Sequence, residues 1–234
     1  MANGWLVELF RSWQGEGPYA GARQVFVRLG GCHMRCSYCD TPESWTRAAA
    51  WRLEDEERPN PVGADDVLAH IDRWREPFHS VSFTGGEPLL QPEFLRAMME
   101  GVRARGMRVY LDTSGTLADR LAGVADLVDI FAFDVKLPSC EGVRADWDDV
   151  RACLDLAAGR EAFVKVVVMQ DSREDEVARA VSIVPAGMPV ILQPATPVNE
   201  RTLAPDGAAL ARLRRAAARD VTVMPQIHPI LGWR

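Results

Sequence analysis

The sequence predicts an α/β fold whose mostly parallel sheet curves into a partial barrel, and three observations support this prediction. Short apolar segments alternate with amphipathic segments of helical periodicity along most of the 234 residues, which is the pattern of repeated β-α units. Glycines and polar residues follow directly after the apolar segments, where the ligands of a parallel sheet gather. The units number six, fewer than the eight of a closed barrel. We therefore expect a partial (β/α)6-type barrel in one domain that spans residues 1–234.

Hydrophobic periodicity assigns the individual elements. Apolar residues recur at helical spacing in 92–105, whereas the continuous apolar run 162–169 (AFVKVVVM) is typical of a buried strand. The charge run EDEER at 54–58, within the polar stretch 42–63, is interpreted as a solvated loop. On the same basis we predict helices at 64–76, 92–105, 145–158, 174–184 and 206–219, and strands at 24–29, 79–83, 107–112, 130–135, 162–169, 188–193 and 221–225.

Composition and charge exclude several classes of protein. The formal net charge is −6, from 27 Lys plus Arg against 33 Asp plus Glu, which argues against nucleic acid as a direct substrate. No stretch reaches the roughly 20 apolar residues of a membrane span, and the amino-terminal residues lack the features of a secretion signal. Five cysteines are too few and too clustered for a disulfide scaffold. We expect a cytoplasmic location and no membrane partner.

The loop GCHMRCSYCDT, residues 31–41, is the strongest chemical signal in the chain. It places Cys32, Cys36 and Cys39 in a C-x3-C-x2-C array directly after an apolar strand. Soft sulfur ligands at this spacing favour iron-sulfur or zinc over hard cations. Three thiolates leave one metal position open, and an open position is typical of a catalytic site. A zinc knuckle completed by His33, or ordinary core thiols, are the alternatives.

The remaining two cysteines do not look like a fourth ligand. Cys153 falls on the predicted apolar face of the helix at 145–158, and Cys140 stands alone in a loop with no ligand partner nearby.

Two glycine-rich motifs accompany the cysteine loop. QGEG at 14–17 combines glycines that allow close approach of a ligand with a carboxylate that accepts hydrogen bonds from ring N–H groups. TGGEP at 84–88 follows a strand and exposes backbone groups at its carboxyl end. We expect one shared mouth for the polar residues at or just beyond strand ends, namely Cys39, Glu87, Asp112, Ser114, Lys136, Gln193 and Gln226.

With QGEG, VRLGGC, C-x3-C-x2-C, CDT, GGEP, TSGT, LQP and PQIH in this order, the sequence resembles the 7-carboxy-7-deazaguanine synthase family of radical S-adenosylmethionine (SAM) enzymes nearly end to end. The resemblance implies a radical SAM barrel and a lyase that converts 6-carboxy-5,6,7,8-tetrahydropterin into 7-carboxy-7-deazaguanine with loss of ammonia, in queuosine or other deazapurine biosynthesis. It implies a 4Fe-4S cluster, SAM and Mg²⁺ as cofactors, a homodimer, and an external electron donor such as flavodoxin. A radical SAM activase that installs a glycyl radical on a partner protein is the alternative, and a zinc-binding interaction module is a third reading.

The resemblance also implies roles for individual residues. The cluster would be held by Cys32, Cys36 and Cys39, and Mg²⁺ by Thr41, unless Thr41 only caps the loop. SAM would contact Tyr38, Gly85, Gly86, Glu87, Ser114, Lys136 and Gln193. The pterin would contact Gln14, Gly15, Glu16, Gly17, Arg28, Asp112, Thr113, Gln226 and His228.

The sequence departs from the family pattern at several positions. Asp112 stands where a glutamate is common, one methylene shorter, and this puts its ligand contact in doubt. His33 stands where an asparagine often follows the first cysteine, and Trp13 replaces a usual aliphatic residue. The polar insert at 46–62 would change how the mouth is covered.

Overall fold

A ten-stranded sheet forms the centre of the computed structural model, which describes residues 2–140, 146–200 and 202–233. The strand order is β12-β11-β10-β9-β8-β7-β3-β2-β4-β5, and β1 pairs with β6 in a separate two-stranded sheet. The strands have these bounds: β1 Asn3–Gly4, β2 Leu6–Trp13, β3 Arg23–Leu29, β4 Ala50–Leu53, β5 Glu56–Pro59, β6 Val62–Gly63, β7 Ser80–Gly85, β8 Val109–Thr113, β9 Ile130–Val135, β10 Ala162–Val168, β11 Val190–Pro194 and β12 Thr222–Val223.

Helices connect the parallel strands of this sheet. From β3 through β12 every neighbouring pair is parallel, and a helix lies between consecutive strands of this series in the chain. The helices are α1 Ala64–Ile71, α2 Pro92–Ala104, α3 Ala118–Ala122, α4 Trp147–Leu156, α5 Glu174–Ser182, α6 Gly207–Ala216 and, after the last strand, α7 His228–Leu231. The partial barrel of six β-α units is thus confirmed, and its edges stay open at β12 and β5.

The apolar faces of the helices pack on the parallel strands and form the main core. Phe94, Leu95, Met98 and Val102 of α2 are each at most 1% exposed, as the helical spacing predicts. The strands between the helices are buried on both faces, which is why they read as continuous apolar runs. A rigid core therefore supports the strand ends.

Two element predictions are wrong. The charge run 54–58 is not a loop throughout, because its residues from Glu56 onward belong to β5, and β4 and β5 form an antiparallel hairpin that adds to the sheet beside β2. Trp51 anchors this hairpin in the core at 2% exposure, while the charged residues of β5 remain exposed. The helix expected over 64–76 ends at Ile71, and Trp74 leaves the helical path to pack against Phe78.

The short helix α3 was not predicted from the sequence. α3 has five residues, too few to show a clear helical period, and its buried contribution is Leu121. The first residue of the helix predicted at 145–158 lies outside the described residues, and α4 occupies 147–156 of that range. Among the described residues, no helix is both long and apolar enough to cross a membrane.

Candidate active site

One cavity lies at the carboxyl ends of the parallel strands and gathers nearly all of the predicted site residues. Two predicted residues, Glu87 and Gly17, are not part of its lining. The insert at 46–62 contributes no described residue to the wall, because its hairpin continues the far edge of the sheet. The predicted residues that line the cavity are Gln14, Gly15, Glu16, Arg28, Cys32, Cys36, Tyr38, Cys39, Thr41, Gly85, Gly86, Asp112, Thr113, Ser114, Lys136, Gln193, Gln226 and His228.

The cysteine loop and the GGEP segment pack backbone against backbone. The Gly86 N–H donates to the carbonyl of Leu29 at 3.0 Å, and the Glu87 N–H donates to the carbonyl of Gly31 at 2.9 Å. A Cβ on Gly86 would lie 2.3 Å from the Gly31 oxygen. The absence of side chains at these two glycines therefore lets the two motifs meet at the mouth of the cavity.

The three cysteine side chains line the same wall. Cys36 is buried, and Cys32 and Cys39 are partly exposed. Burial raises the pKa of the Cys32 thiol, and a hydrogen bond with Cys140 together with burial raises that of Cys36. Without a metal, the thiols of Cys32 and Cys36 therefore ionise poorly, and a bound cation would have to displace their protons.

The expectation that Cys140 stands apart is wrong. Its side chain is 2% exposed, hydrogen-bonds Cys36 and lies 3.6 Å from the Ser37 hydroxyl, between sulfur and oxygen. The contact joins residues more than one hundred positions apart, which spacing in the sequence does not reveal. Cys153 lies in the core, as predicted.

Within the described residues, no three His, Cys, Asp or Glu side chains converge as the ligands of a single metal ion. This arrangement does not fit a mononuclear zinc knuckle, which gathers four ligands around one centre. An iron-sulfur cluster does not require such convergence, because each of its thiolate ligands binds a different iron atom. Three buried polar atoms of the wall, Tyr38 OH, Asp134 Oδ1 and Gln193 Oε1, have no hydrogen-bond partner among the described residues, as expected where a ligand completes the site.

Glu87 lies one layer behind the cavity and is fully buried. Its carboxylate accepts hydrogen bonds from the Thr113 hydroxyl at 2.7 Å, the Ser114 N–H at 2.9 Å, the Ser114 hydroxyl at 2.6 Å and the Leu89 N–H at 3.1 Å. These bonds tie the GGEP turn to the TSGT turn after β8. Glu87 thus fixes two segments of the wall, and its direct contact with SAM stays a prediction.

Glu16 projects from the QGEG loop to the base of the cavity, where Lys165 of β10 binds its carboxylate. The amides of Gln193 and Gln226 donate to the other oxygen, the former at 3.2 Å. Burial acts to raise the pKa of Glu16, but the charge of Lys165 and the hydrogen bond from Gln226 outweigh burial and leave that pKa below its ordinary value. Glu16 is therefore an ionised acceptor at neutral pH.

Asp112 at the end of β8 shares the same ammonium group. Its Oδ1 lies 3.4 Å from Lys165 Nζ, and its Oδ2 accepts from the Thr84 hydroxyl at 3.4 Å. Burial, aided by the negative charges of Glu16 and Asp134, raises the pKa of Asp112 to about 6 against the attraction of Lys165. The carboxyl group thus reaches the cavity even though it is one methylene shorter than a glutamate.

A second lysine lies beside the first. Lys136 Nζ pairs with Asp134 Oδ2 at 2.7 Å and stands 5.2 Å from the ring centroid of Tyr38. Lys136 thus pairs with Asp134 and also lines the cavity, and its contact with SAM stays a prediction.

The segment that contains PQIH also lines the cavity, through Gln226 and His228. Gln226 reaches Glu16 and also Asp40 Oδ2, the latter at 3.4 Å. His228, the first residue of α7, lies 3.8 Å from Asp40 between Nε2 and Oδ2. Burial opposes ionisation of Asp40, but the hydrogen bond with His228 and the charge of Arg28 lower its pKa to about 2. PQIH and the cysteine loop are thus joined through Asp40.

The local surroundings of three further predicted site residues, Arg28, Thr41 and Gly17, are as follows. Arg28 points inward, with its Nε 2.8 Å from Glu8 Oε1 and its guanidinium near the ring of Phe10. Thr41 begins the short 3-10 helix Pro42–Trp45, but its side chain makes no capping hydrogen bond. Gly17 has a φ of +64°, and a Cβ there would lie 2.5 Å from the Phe163 ring, so packing explains this glycine.

Sequence reasoning missed Lys165, Asp40 and Asp134 as parts of the site. Lys165 is 1% exposed within an apolar strand, and a single charge inside a buried strand is the signal that identifies such a residue. Asp40 and Asp134 carry weaker signals, because an aspartate after a motif or near a strand end is common in loops.

The open α/β sheet, the three-thiol loop and the cavity at the strand ends define this chain as a radical SAM enzyme. The sequence model of the Radical SAM superfamily matches residues 26–179.

Within this superfamily the chain belongs to the 7-carboxy-7-deazaguanine synthase family of lyases. It is 38% identical to the 7-carboxy-7-deazaguanine synthase of Geobacter sulfurreducens, covering 97% of this chain and 96% of the relative. It is 39% identical to that of Methanopyrus kandleri, covering 97% and 93%. The crystal structure of QueE from Escherichia coli superposes with a TM-score of 0.63 at 19% identity, covering 96% of this chain and 94% of that one, which shows the shared fold.

Proposed function

We propose that this enzyme converts 6-carboxy-5,6,7,8-tetrahydropterin into 7-carboxy-7-deazaguanine and ammonia. The observation that carries the proposal is the contact between the QGEG loop and the PQIH segment at Glu16, in a cavity that the cysteine loop also lines. A pterin has N–H donors along its pyrimidinone edge, and an ionised carboxylate flanked by amides matches such an edge.

Different residues on the substrate side would bind different parts of the pterin. Glu16 accepts ring N–H bonds, while Gln14, Gln226 and His228 surround that edge. Arg28, oriented by Glu8, pairs with the substrate carboxylate through its remaining N–H groups. Gln14 is buried and Glu16 is partly buried, so little water competes with these contacts, which strengthens them.

The residues on the cofactor side fit a cluster and SAM. Cys32, Cys36 and Cys39 would hold a 4Fe-4S cluster, and Gly85, Gly86, Ser114, Lys136, Gln193 and Tyr38 would contact SAM. When bound, the cluster and SAM together supply the radical that abstracts a substrate hydrogen. Gly85 and Gly86 line the cavity and would contact the methionine end of SAM. The unpaired atoms of Tyr38 and Gln193 are available to the polar groups of SAM.

Mg²⁺ at Thr41 completes the proposal. Its hydroxyl is a hard oxygen ligand, which suits this ion. The Thr41 side chain does not cap the adjoining 3-10 helix, so capping does not prevent its hydroxyl from binding the ion. One neutral protein ligand implies that the substrate carboxylate completes the coordination.

Anaerobic turnover tests the proposed function. The reconstituted protein, given SAM, a reductant and the carboxytetrahydropterin, should form the deazaguanine chromophore and release one ammonia for each product. Cleavage of SAM without this chromophore would reject the substrate. His228→Ala should raise KM for the pterin, whereas Arg151→Ala on the exposed face of α4 serves as the matched surface control.

The proposal also includes a homodimer and an external electron donor. Ile230 and Leu231 of α7 are 71% and 54% exposed, which supports a homodimer that would cover them. Light scattering on the purified protein tests this. An external donor such as flavodoxin would reduce the cluster, and the cytoplasmic location stays a prediction.

The comparisons do not favour the glycyl-radical activase, because the relatives that match nearly the whole chain are 7-carboxy-7-deazaguanine synthases. The comparisons do not favour the zinc module either, since the sequence model of the Radical SAM superfamily matches residues 26–179. Measurement of iron, acid-labile sulfide and zinc in anaerobically purified protein distinguishes these classes directly.

A further inference from the structure

At the base of the cavity, the ammonium group of Lys165 lies among three carboxylates. Lys165 Nζ binds Glu16 and lies 3.4 Å from Asp112 Oδ1 and 3.9 Å from Asp134 Oδ2. The lysine side chain is 2% exposed, so water does not screen these interactions effectively. Removing the ammonium would leave the partly buried carboxylates of Glu16 and Asp112 without this shared cation, which costs free energy.

Lysine is rare in this chain, which makes its position informative. The sequence contains 25 arginines and two lysines, Lys136 and Lys165. Arginine forms the peripheral ion pairs, such as Arg105 with Asp72 at 2.7 Å. Both lysines line the cavity. A compact ammonium donates in three directions and can meet several carboxylates, whereas a planar guanidinium requires a broader arrangement.

The two nearest carboxylates share this ammonium unequally. Glu16 has the shorter contact and two further amide donors. Asp112 has longer contacts with Lys165 and the Thr84 hydroxyl. When two carboxylates compete for one cation, their pKa values move apart. The carboxylate with the stronger contacts to the cation and to hydrogen-bond donors stays ionised.

We propose that Lys165 is a positioning residue that divides charge between two carboxylates: it holds Glu16 as the anionic acceptor for substrate N–H groups and leaves Asp112 as the carboxyl that takes up a proton. The inference rests on the proposed substrate role of Glu16. This arrangement also sets specificity. In a pterin analogue with a carbonyl in place of the 2-amino group, the carbonyl oxygen would face the Glu16 carboxylate, and the analogue would bind poorly.

The other charged and titratable groups around this set are few. Lys165 also faces Asp134 and the buried Tyr110, Glu16 also faces Asp40, and Asp112 also faces Asp134 and Lys136. The direction of the pKa shifts agrees with the geometry, since the pKa of Glu16 is lowered and that of Asp112 is raised.

The first test measures pterin affinity against pH for the SAM-bound holoenzyme under anaerobic conditions. Lys165→Met should weaken affinity at neutral pH roughly 100-fold or more. It should also move the acid limb of the affinity profile upward by about one pH unit or more, because Glu16 loses its cation. Lys165→Arg keeps the charge and should keep the limb near its wild-type position. Folded Lys165→Met protein with the wild-type affinity and acid limb would overturn the inference.

The other lysine supplies the matched control. Lys136→Met removes a charge paired with Asp134 and should affect SAM affinity while leaving the acid limb for the pterin in place. An equal shift of that limb in both lysine variants would show a general charge effect and refute a specific role for Lys165.

The second test needs neither turnover nor a foldable methionine variant. In wild-type holoenzyme with ¹⁵N-labelled lysine, only two side-chain ammonium signals are expected. The Lys165 signal should shift as Asp112 titrates near pH 6, and this shift should vanish in Asp112→Asn. Persistence of the shift in that variant would overturn the charge division. If wild-type enzyme fails to bind the pterin, the proposed function fails, while this measurement still decides on Lys165.

Discussion

Gly15 and His228 are in direct contact across 213 positions of the chain. A Cβ on Gly15 would lie 2.1 Å from His228 Nδ1, and the Gly15 carbonyl accepts a hydrogen bond from the Ile227 N–H at 2.9 Å. The QGEG and PQIH motifs therefore form one structural unit, and the glycine sets the position of the histidine.

The first prediction follows from this contact. Gly15→Ala should displace His228 and raise KM for the pterin roughly tenfold to hundredfold, with little change in SAM affinity. Steady-state kinetics measure both. The matched control is Gly207→Ala, where an added Cβ meets nothing within 4 Å. Equal kinetics for the two variants would contradict the structural unit.

The second prediction concerns the cluster. Replacing Cys32, Cys36 or Cys39 by serine should abolish the visible absorption, iron and acid-labile sulfide of the reconstituted protein, since three thiolates are the minimum that the loop offers. Cys153→Ala is the control, because Cys153 is fully buried in the core. That variant should keep the cluster and lose about 1 kcal/mol of stability. Full iron and sulfide in Cys36→Ser would argue against this ligand set.

The third prediction concerns Glu87. Glu87→Gln replaces one acceptor oxygen by an N–H₂ group that faces other donors, so the free energy of unfolding should fall by about 2–4 kcal/mol. Urea denaturation measures this change. Glu93→Gln on the exposed first turn of α2 should change it by less than about 0.5 kcal/mol. If both variants unfold at the same urea concentration, the four hydrogen bonds of Glu87 do not stabilise the wall.

The fourth prediction is a pH dependence of stability. Burial raises the pKa of Asp112 from 3.8 to about 6, so the folded state binds this proton more tightly than the unfolded state. The stabilisation is fully present below about pH 3.8 and is lost as pH rises through about 6. The free energy of unfolding of the wild type, minus that of Asp112→Asn, should therefore fall across this interval.

Urea unfolding of both proteins between about pH 4 and pH 7 checks this sign. Glu16, whose pKa is lowered, contributes in the opposite direction at lower pH, but it is present in both proteins and largely cancels in the difference. A difference that rises with pH would contradict the assignment to Asp112.

Local patterns were enough to predict most of the fold. The six β-α units follow from periodicity, because a buried strand and a one-sided helix leave different marks in the sequence. The hairpin at 50–59 was missed because β5 is charged and exposed, and the pairing of β4 with β2 stabilises strands whose own composition does not favour them.

The sequence by itself determined which residue types surround the cavity, since the motifs follow strand ends and parallel strands bring those ends together. Only the tertiary structure decided how they pair: Glu87 with the TSGT turn, Cys140 with Cys36, and Lys165 with Glu16 and Asp112. These contacts depend on the register and curvature of the sheet, which arise from packing over the whole chain. Side chains far apart in sequence acquire their charge and orientation only when that packing removes them from water.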